Sequence, residues 1–265
     1  MKAIKRFTFL AVLAAFTACT DGPFAPWMDL TPPRGGWLWV AKNSNSSCIY
    51  KVDVSTGKWI DTLPAPIPAD WLGSNQGLVF GDGKLWAGWA DYSDDELDPT
   101  AEYYYCWIDP ETGEFGSPVD ISEFHLVPNG LAWCDSMLCV VGAGYCAFFE
   151  PYSGELLLGF WLTITGITGS AWDGSGLWVV KPKDSVSGSK GIYKLNPETG
   201  DEMYRIPVPC EGTAGLTWDG EALWVNDAKN AVVYRVSPET GTVLGYFAYD
   251  FAPSPWGLAW EFPSE

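Results

Sequence analysis

The sequence has few histidines, few basic residues and no long apolar run. Of 265 residues, only His125 is a histidine, and 15 Lys or Arg stand against 33 Asp or Glu. A single histidine argues against a His-based catalytic triad and a multi-histidine zinc site. The formal charge of -18 disfavours contact with phosphate backbones. We therefore expect no nucleic-acid partner, no metal site and no cofactor.

The N-terminal segment has the features of an export signal. Basic residues precede a mostly apolar run over residues 7–18 that is too short to span a membrane as a helix. The run ends at Cys19 in a pattern that resembles a bacterial lipobox, although an ordinary signal peptide cut nearby is the alternative. We expect residues 1–18 to be a lipoprotein signal peptide and the proline-rich residues 19–36 to be a tether. The protein would then be exported and attached to a membrane only through lipid on Cys19, facing the periplasm or the cell surface.

Seven cysteines are present. If Cys19 carries lipid, six remain, and six allow 15 disulfide connectivities in an oxidising compartment. Cys134 and Cys139 flank a four-residue turn and could face each other across two strands. The sequence therefore favours Cys134–Cys139 as a disulfide without deciding the connectivity.

An internal repeat is the most informative feature of the chain. A Leu that begins the second strand of each unit recurs 39 to 53 residues apart, at Leu38, Leu85, Leu138, Leu177 and Leu223. A turn glycine recurs in step with it, at Gly57, Gly113, Gly154, Gly200 and Gly241. A period of about 40–50 residues is typical of β-propeller blades.

The two ends of the repeat are complementary. The first unit begins at Trp37 without an inner strand, and the last residues supply an inner strand, 257–260, without the rest of a unit. The sequence therefore predicts an all-β, five-bladed β-propeller over residues 37–265. The C-terminal strand would complete the N-terminal blade and leave no open edge in the ring. We expect a monomer; a larger propeller completed by another chain is the alternative.

Eight tryptophans occupy two repeat positions and are expected to pack between blades. They are Trp133, Trp172, Trp218 and Trp260 in the inner strands, and Trp39, Trp86, Trp178 and Trp224 in the second strands. Trp71, Trp89 and Trp256 fall outside this pattern, in or beside loops expected near the mouth of the central channel.

In propellers, the loops before the inner strands and those after the second strands share one face, where ligands usually bind. A protein, peptide or small-molecule ligand at this channel mouth would contact polar and aromatic side chains, unless these only meet water. The candidates are Asn75, Gln76, Trp89, Asp91, Asn129, Lys181, Asp227 and Trp256. The acidic run from Asp91 to Asp98 could hold calcium, but it matches no EF-hand spacing, so a solvated loop is preferred.

The blade pattern resembles that of bacterial YncE-type and SMP-30-like propellers. The segment 75–80, Asn-Gln-Gly-Leu-Val-Phe, also resembles a signature of the glutamine cyclotransferase family, the plant-type glutaminyl cyclases, which are secreted five-bladed propellers. That resemblance implies conversion of N-terminal Gln to pyroglutamate by a carboxylate proton shuttle. However, Leu85-Trp86 is followed by Ala87 and Gly88, where the family has a Glu. We therefore assign no catalytic residue.

These observations favour a lipid-anchored binding or scaffold module without catalysis. One alternative is a cyclotransferase-like enzyme, a glutaminyl-peptide cyclase, that takes its acid from Asp91 or Asp227. A second alternative is an SMP-30-like calcium-dependent hydrolase. Fold alone does not decide between them.

Overall fold

The computed structural model describes residues 35–42, 48–65, 74–91, 101–142, 144–182, 190–249 and 255–263. The predicted signal peptide, Cys19, most of the tether, Trp71 and the acidic residues 94–98 lie outside the described residues, as do the side chains of Asn75 and Gln76. Within the described part of the chain, no helix has both the length and the apolar character that a membrane span requires.

In the described residues, twenty strands follow the sequence repeat. The first three strands are β1 (Trp37–Lys42), β2 (Cys48–Asp53) and β3 (Lys58–Pro64). The next four are β4 (Ser74–Gly81), β5 (Lys84–Asp91), β6 (Glu102–Ile108) and β7 (Val119–Asp120). A short 3-10 turn over Ser122–Phe124 leads into the next four, which are β8 (Gly130–Cys134), β9 (Met137–Gly142), β10 (Tyr145–Phe149) and β11 (Leu156–Trp161).

The second half of the chain repeats this layout. Its strands are β12 (Gly169–Trp172), β13 (Leu177–Lys181), β14 (Gly191–Leu195), β15 (Glu202–Ile206), β16 (Thr213–Trp218), β17 (Leu223–Asp227), β18 (Val232–Val236), β19 (Val243–Ala248) and β20 (Pro255–Glu261). They form five four-stranded antiparallel sheets. We number the sheets as blades 1 to 5, with orders β20-β1-β2-β3, β4-β5-β6-β7, β8-β9-β10-β11, β12-β13-β14-β15 and β16-β17-β18-β19. The predicted all-β, five-bladed propeller is confirmed.

The ring is closed by the last strand, as the complementary ends of the repeat predicted. β20 pairs antiparallel with β1, with Leu38 opposite Trp260 and Val40 opposite Leu258. Trp39 Nε1 donates a hydrogen bond to Glu261 Oε2 at 2.8 Å, which also ties the two ends together through side chains. Because blade 1 takes strands from both ends of the chain, unfolding either end opens the ring.

Each blade turns from its third to its fourth strand in the same way. A capping side chain at the start of the turn accepts the N–H of the residue two positions later, and the repeat glycine donates its N–H to the capping residue's carbonyl. The five caps are Asp53, Asp109, Glu150, Asn196 and Ser237. The five glycines have φ between 66° and 76°, a conformation that residues with a Cβ adopt at a cost. This geometry explains the repeated turn motif.

Five other glycines lie where the inner strands meet at the propeller axis, and we call them the ring glycines: Gly77, Gly130, Gly169, Gly215 and Gly257. A Cβ on any of them would lie 2.7–3.1 Å from a backbone nitrogen of the next blade. In each case that nitrogen belongs to the residue after the next ring glycine: Leu131, Ser170, Leu216, Leu258 and Leu78 in turn. The contact therefore passes around all five blades and returns to its start.

The expectation that Cys134 and Cys139 face each other across two strands is wrong, because the strand register differs from the one that it assumed. In the β8–β9 hairpin, Cys134 lies opposite Met137 and Cys139 opposite Ala132, so the two thiols are diagonal neighbours. Both are free thiols in the structure. Cys139 Sγ instead lies 3.4 Å from Cys146 Sγ, on the same buried face of blade 3.

The ring contact predicts a specific sensitivity to substitution. Gly169→Ala is expected to destabilise the fold by about 2–3 kcal/mol, because the new Cβ would lie 2.7 Å from a backbone nitrogen that cannot move independently. Gly83→Ala is the control: Gly83 has φ 67° but open space around its Cβ position. It should cost only about 1 kcal/mol of conformational strain. Urea unfolding measures both, and equal costs would contradict the ring contact.

Candidate functional site

The channel mouth predicted from the sequence leads into a closed channel. Asn129 and Trp256 are half-buried and line it, together with the ring glycines. The channel leaves no volume that a water molecule could occupy. The close approach of the inner strands therefore fills the axis with backbone, and a ligand cannot pass through it.

Other residues predicted at the mouth are packed into the blades. Trp89 is fully buried in β5, where its ring stacks on Tyr104 with 5.9 Å between centroids. Lys181 is 9% exposed at the end of β13, and Asp91 is half-buried at the end of β5. The position of Trp89 shows that falling outside the tryptophan repeat did not make it a surface residue.

Asp227 has a structural environment. It is fully buried, and its carboxylate accepts hydrogen bonds from Lys229 N, Asn230 N and Asn230 Nδ2 at 2.7–3.2 Å. Burial, followed by the charge of Asp227, raises the pKa of Cys210 to about 12. The same two causes raise the pKa of Tyr249 well above its usual value. Asp227 therefore holds the turn that follows β17.

Asn226 is a residue that the sequence reasoning missed. It is fully buried next to Asp227, its Nδ2 donates to Pro255 O, and its Oδ1 accepts from Tyr249 OH at 3.2 Å. These bonds fix the start of the closing strand β20 against blade 5. The sequence did contain a signal for this residue: Asn226 is polar at a repeat position where blades 1, 3 and 4 have an aliphatic residue.

The opposite end of the axis opens into a cavity of about 600 Å³, which we call the aromatic cavity. Six aromatic side chains line it: Phe80, Trp133, Trp172, Trp218, Trp260 and Phe262. Five of them stand three positions after a ring glycine, one in each blade. The tight ring therefore brings the ends of five inner strands together, and the aromatic side chain of each one faces the same space.

The expectation that the repeated tryptophans pack between blades is confirmed at two positions. Trp86 of blade 2 stacks on Trp133 of blade 3 at 5.7 Å, and Trp224 of blade 5 stacks on Trp260 of blade 1 at 5.8 Å. The same inner-strand tryptophans also line the aromatic cavity, a role that we did not assign from the sequence. Their repetition indicated packing and gave no sign of convergence at the axis.

Three blades carry the same hydrogen-bonded triad of an acid, an indole and a cation. The acid follows the inner-strand tryptophan, the indole comes from the second strand, and the cation comes from the third. The triads are Asp219 with Trp224 and Arg235, Asp173 with Trp178 and Lys194, and Glu261 with Trp39 and Lys51, at 2.6–3.0 Å. These bonds neutralise each carboxylate inside its own blade.

Blades 2 and 3 depart from this pattern. Trp107 and Phe148 occupy the cation position. Their inner and second strands are joined by two-residue turns in which Asp82 and Asp135 have φ 52° and 59°. Asp82 accepts a hydrogen bond from Tyr152 OH at 2.7 Å, but neither exposed carboxylate forms a salt bridge within the described part of the chain. Both line the aromatic cavity.

Ser170 supplies a polar group where the closed channel meets the aromatic cavity, and it lines both. The other blades have leucine at this ring position. Ser170 is 2% exposed, and its hydroxyl has no hydrogen-bond partner among the described residues. Burying an unpartnered hydroxyl costs about 1–3 kcal/mol, so this serine is a departure from the repeat that stability alone does not explain.

A metal centre has no support in the described residues. They contain no group of three or more His, Cys, Asp or Glu side chains arranged to hold an ion. His125 is exposed and closes the 3-10 turn with φ 48°.

The sequence matches no protein-family profile and no curated protein. Solved structures share its fold at low identity. The Myxococcus xanthus glutaminyl cyclase is 14% identical, with a TM-score of 0.51 over 70% of this chain and 69% of its own. A chain of a nidogen/laminin complex is 12% identical, with a TM-score of 0.56 over 86% and 99%. A protein of unknown function from Bacteroides caccae is 13% identical, with a TM-score of 0.53 over 86% and 99%. At such identities the likeness shows the fold alone.

The triads predict a pH-dependent contribution to stability. Burial alone would raise the pKa of Asp173, but hydrogen bonds from Lys194, Trp178 and Ser175 outweigh it and hold this pKa below its usual value. A lowered folded-state pKa contributes stability above the unfolded pKa of about 4, and that contribution is lost as the pH falls through the folded value.

Asp173→Asn is therefore expected to cost about 2 kcal/mol at pH 7 and progressively less under acid. Urea unfolding between pH 7 and pH 2.5 measures the difference from wild type. The exposed turn residue Glu198 provides the control Glu198→Gln, which should stay within about 0.5 kcal/mol of wild type. A cost for Asp173→Asn that does not shrink on acidification would argue against the triad.

Proposed function

We propose that this protein is an exported, lipid-anchored β-propeller that binds a ligand and catalyses no reaction. The observation that carries the proposal is the aromatic cavity, which is about 600 Å³ in volume and lined by side chains from all five blades. Small-molecule sites typically occupy about 300–1,000 Å³ and combine apolar walls with a few polar groups. The cavity fits that description.

The hydrogen bonding of the carboxylates also supports a binding role. A general acid or base needs a proton that it can exchange near neutral pH. Asp227, one of the two acids considered for such a role, is buried and holds three hydrogen bonds from its own turn. Burial would raise the pKa of Asp173, but its hydrogen bonds outweigh this effect and lower that pKa, and hydrogen bonds also hold the pKa of Glu150 below its usual range. These groups are suited to structural support.

Two enzymatic alternatives have weaker support. A glutaminyl-peptide cyclase is favoured by the segment 75–80, which lies on the inner strand β4, and by the shared fold of a bacterial glutaminyl cyclase. A calcium-dependent hydrolase would bind a metal, and a rise in melting temperature with millimolar calcium would favour it. The net charge of -18 supports the expectation that nucleic acids are not partners.

An activity assay tests the absence of catalysis. The purified protein is expected to convert no N-terminal Gln peptide to its pyroglutamyl form above the uncatalysed rate, as followed by mass spectrometry. Asp91→Asn and Asp227→Asn should leave that background unchanged. Turnover in the wild type that either substitution abolishes would replace the binding proposal with the cyclase alternative.

Cell fractionation tests the anchor. In a bacterial host that processes lipoproteins, the wild-type chain is expected in the membrane fraction with a fatty-acid label on Cys19. Cys19→Ala should carry no label and should move to the soluble exported fraction, because the propeller would then lack its lipid. Cys210→Ala is the control for loss of a thiol. Equal membrane association of wild type and Cys19→Ala would contradict lipid anchoring.

A further inference from the structure

We propose that the aromatic cavity binds a small organic cation, such as a quaternary ammonium compound. This inference rests on the proposed binding function and names a ligand class for the same cavity. It depends on three features of the cavity: its aromatic walls, the carboxylates of Asp82 and Asp135 at its rim, and the hydroxyl of Ser170 at its floor.

The walls are suited to a cation. Four indole rings and two phenyl rings surround the space. The face of an aromatic ring carries partial negative charge, and tryptophan attracts cations most strongly, within about 6 Å of its centroid. None of the described residues that line the cavity is basic, so a bound cation meets no like charge there.

The rim supplies negative charge that the protein does not neutralise. Asp173 also lines the cavity, but Lys194 Nζ lies 2.6 Å from its carboxylate. Asp82 and Asp135 form no salt bridge among the described residues, and Asp82 accepts one hydrogen bond, from Tyr152 OH at 2.7 Å. Blades 2 and 3 have Gly81 and Cys134 at the acid position of the triad, and each carries an aspartate one residue further on, in the exposed turn. A cationic ligand would supply positive charge beside these two carboxylates.

One hydroxyl at the floor of the cavity has no hydrogen-bond partner among the described residues. Ser170 is almost fully buried, lacks a partner among the described residues and lines the cavity. A hydroxyl at this position can donate to, or accept from, a polar group of a ligand that reaches the floor. Four leucines at the equivalent ring positions show that the repeat itself does not require this hydroxyl.

The size and depth of the cavity favour a small molecule over a polymer. Its volume is about 600 Å³, and the channel behind it is too narrow for water. A ligand must therefore enter and leave by the same opening. The strongly negative chain, with a formal charge of -18, would also raise the local concentration of cations at low salt.

The experiment compares two probes of the same shape and different charge. Choline is the cation, and 3,3-dimethylbutan-1-ol is its neutral analogue. Titrations followed by intrinsic tryptophan fluorescence and by calorimetry are expected to show choline binding at least about tenfold more tightly, because only choline gains the aromatic and carboxylate attraction. Raising the sodium chloride concentration should weaken choline binding and leave the alcohol unaffected.

Variants of the rim assign the site. Asp82→Asn and Asp135→Asn are each expected to weaken choline binding about fivefold without changing binding of the alcohol. Asn tolerates the positive φ of both turns, so the fold should be retained. Glu123→Gln removes the same charge from an exposed position outside the cavity and should have no effect.

The outcomes separate this inference from the proposed function. Equal affinity for choline and the alcohol would overturn the cation assignment and leave a binding cavity in place. Choline binding that no rim variant weakens would place the cation elsewhere and also overturn the assignment. No binding of either probe would reject organic cations of this size as the ligand class. Failure of the proposed function would instead appear as turnover in the peptide assay.

Discussion

The structure depends on the close approach of five backbones at the propeller axis. Each ring glycine sits so near the next inner strand that a methyl group would collide with a backbone nitrogen. Because this contact runs from blade to blade and returns to the first, one larger side chain would push apart every neighbour in the ring. The same closeness explains both ends of the axis. It fills the channel with main chain, and it gathers the aromatic residues three positions further on around one cavity.

Away from the axis, each blade must hold its second and third strands against the inner one. Blades 1, 4 and 5 do so with an acid that binds an indole N–H and a cation. Blades 2 and 3 have Trp107 and Phe148 at the cation position. In blade 2, Trp86 Nε1 donates to Gly81 O, and Lys84 pairs with Asp109 and lies over the Trp107 ring. Both solutions are stable because a buried ion pair and well-packed apolar side chains of similar size contribute comparably. They differ in the charge that they leave at the rim of the cavity.

The fold could be predicted from the sequence because it is a property that every blade shares. Five copies of a turn and of a Leu-containing strand fix the number of blades, and the complementary ends fix the closure. The site could not be predicted in the same way. Trp89 stood outside the tryptophan repeat and was expected at the mouth, yet it packs in the core. Trp133, Trp172, Trp218 and Trp260 were inside the repeat and were expected only to pack, yet they also line the cavity. A sequence repeat shows that residues occupy equivalent positions in their blades. It does not show whether their side chains meet at the axis, because that depends on how closely the ring glycines let the inner strands approach.

The informative positions in such a protein are those where one blade departs from the others without a gain in packing. Ser170 replaces a leucine and buries a hydroxyl without a described partner, and the turns of blades 2 and 3 carry Asp82 and Asp135, which form no salt bridge among the described residues. Considered alone, none of these three residues increases the stability of the fold. All three residues nevertheless line one cavity, although they lie far apart in sequence and belong to three different blades. The ring brings the ends of the inner strands together, so a single ligand in the cavity would contact departures from the repeat that lie in three blades.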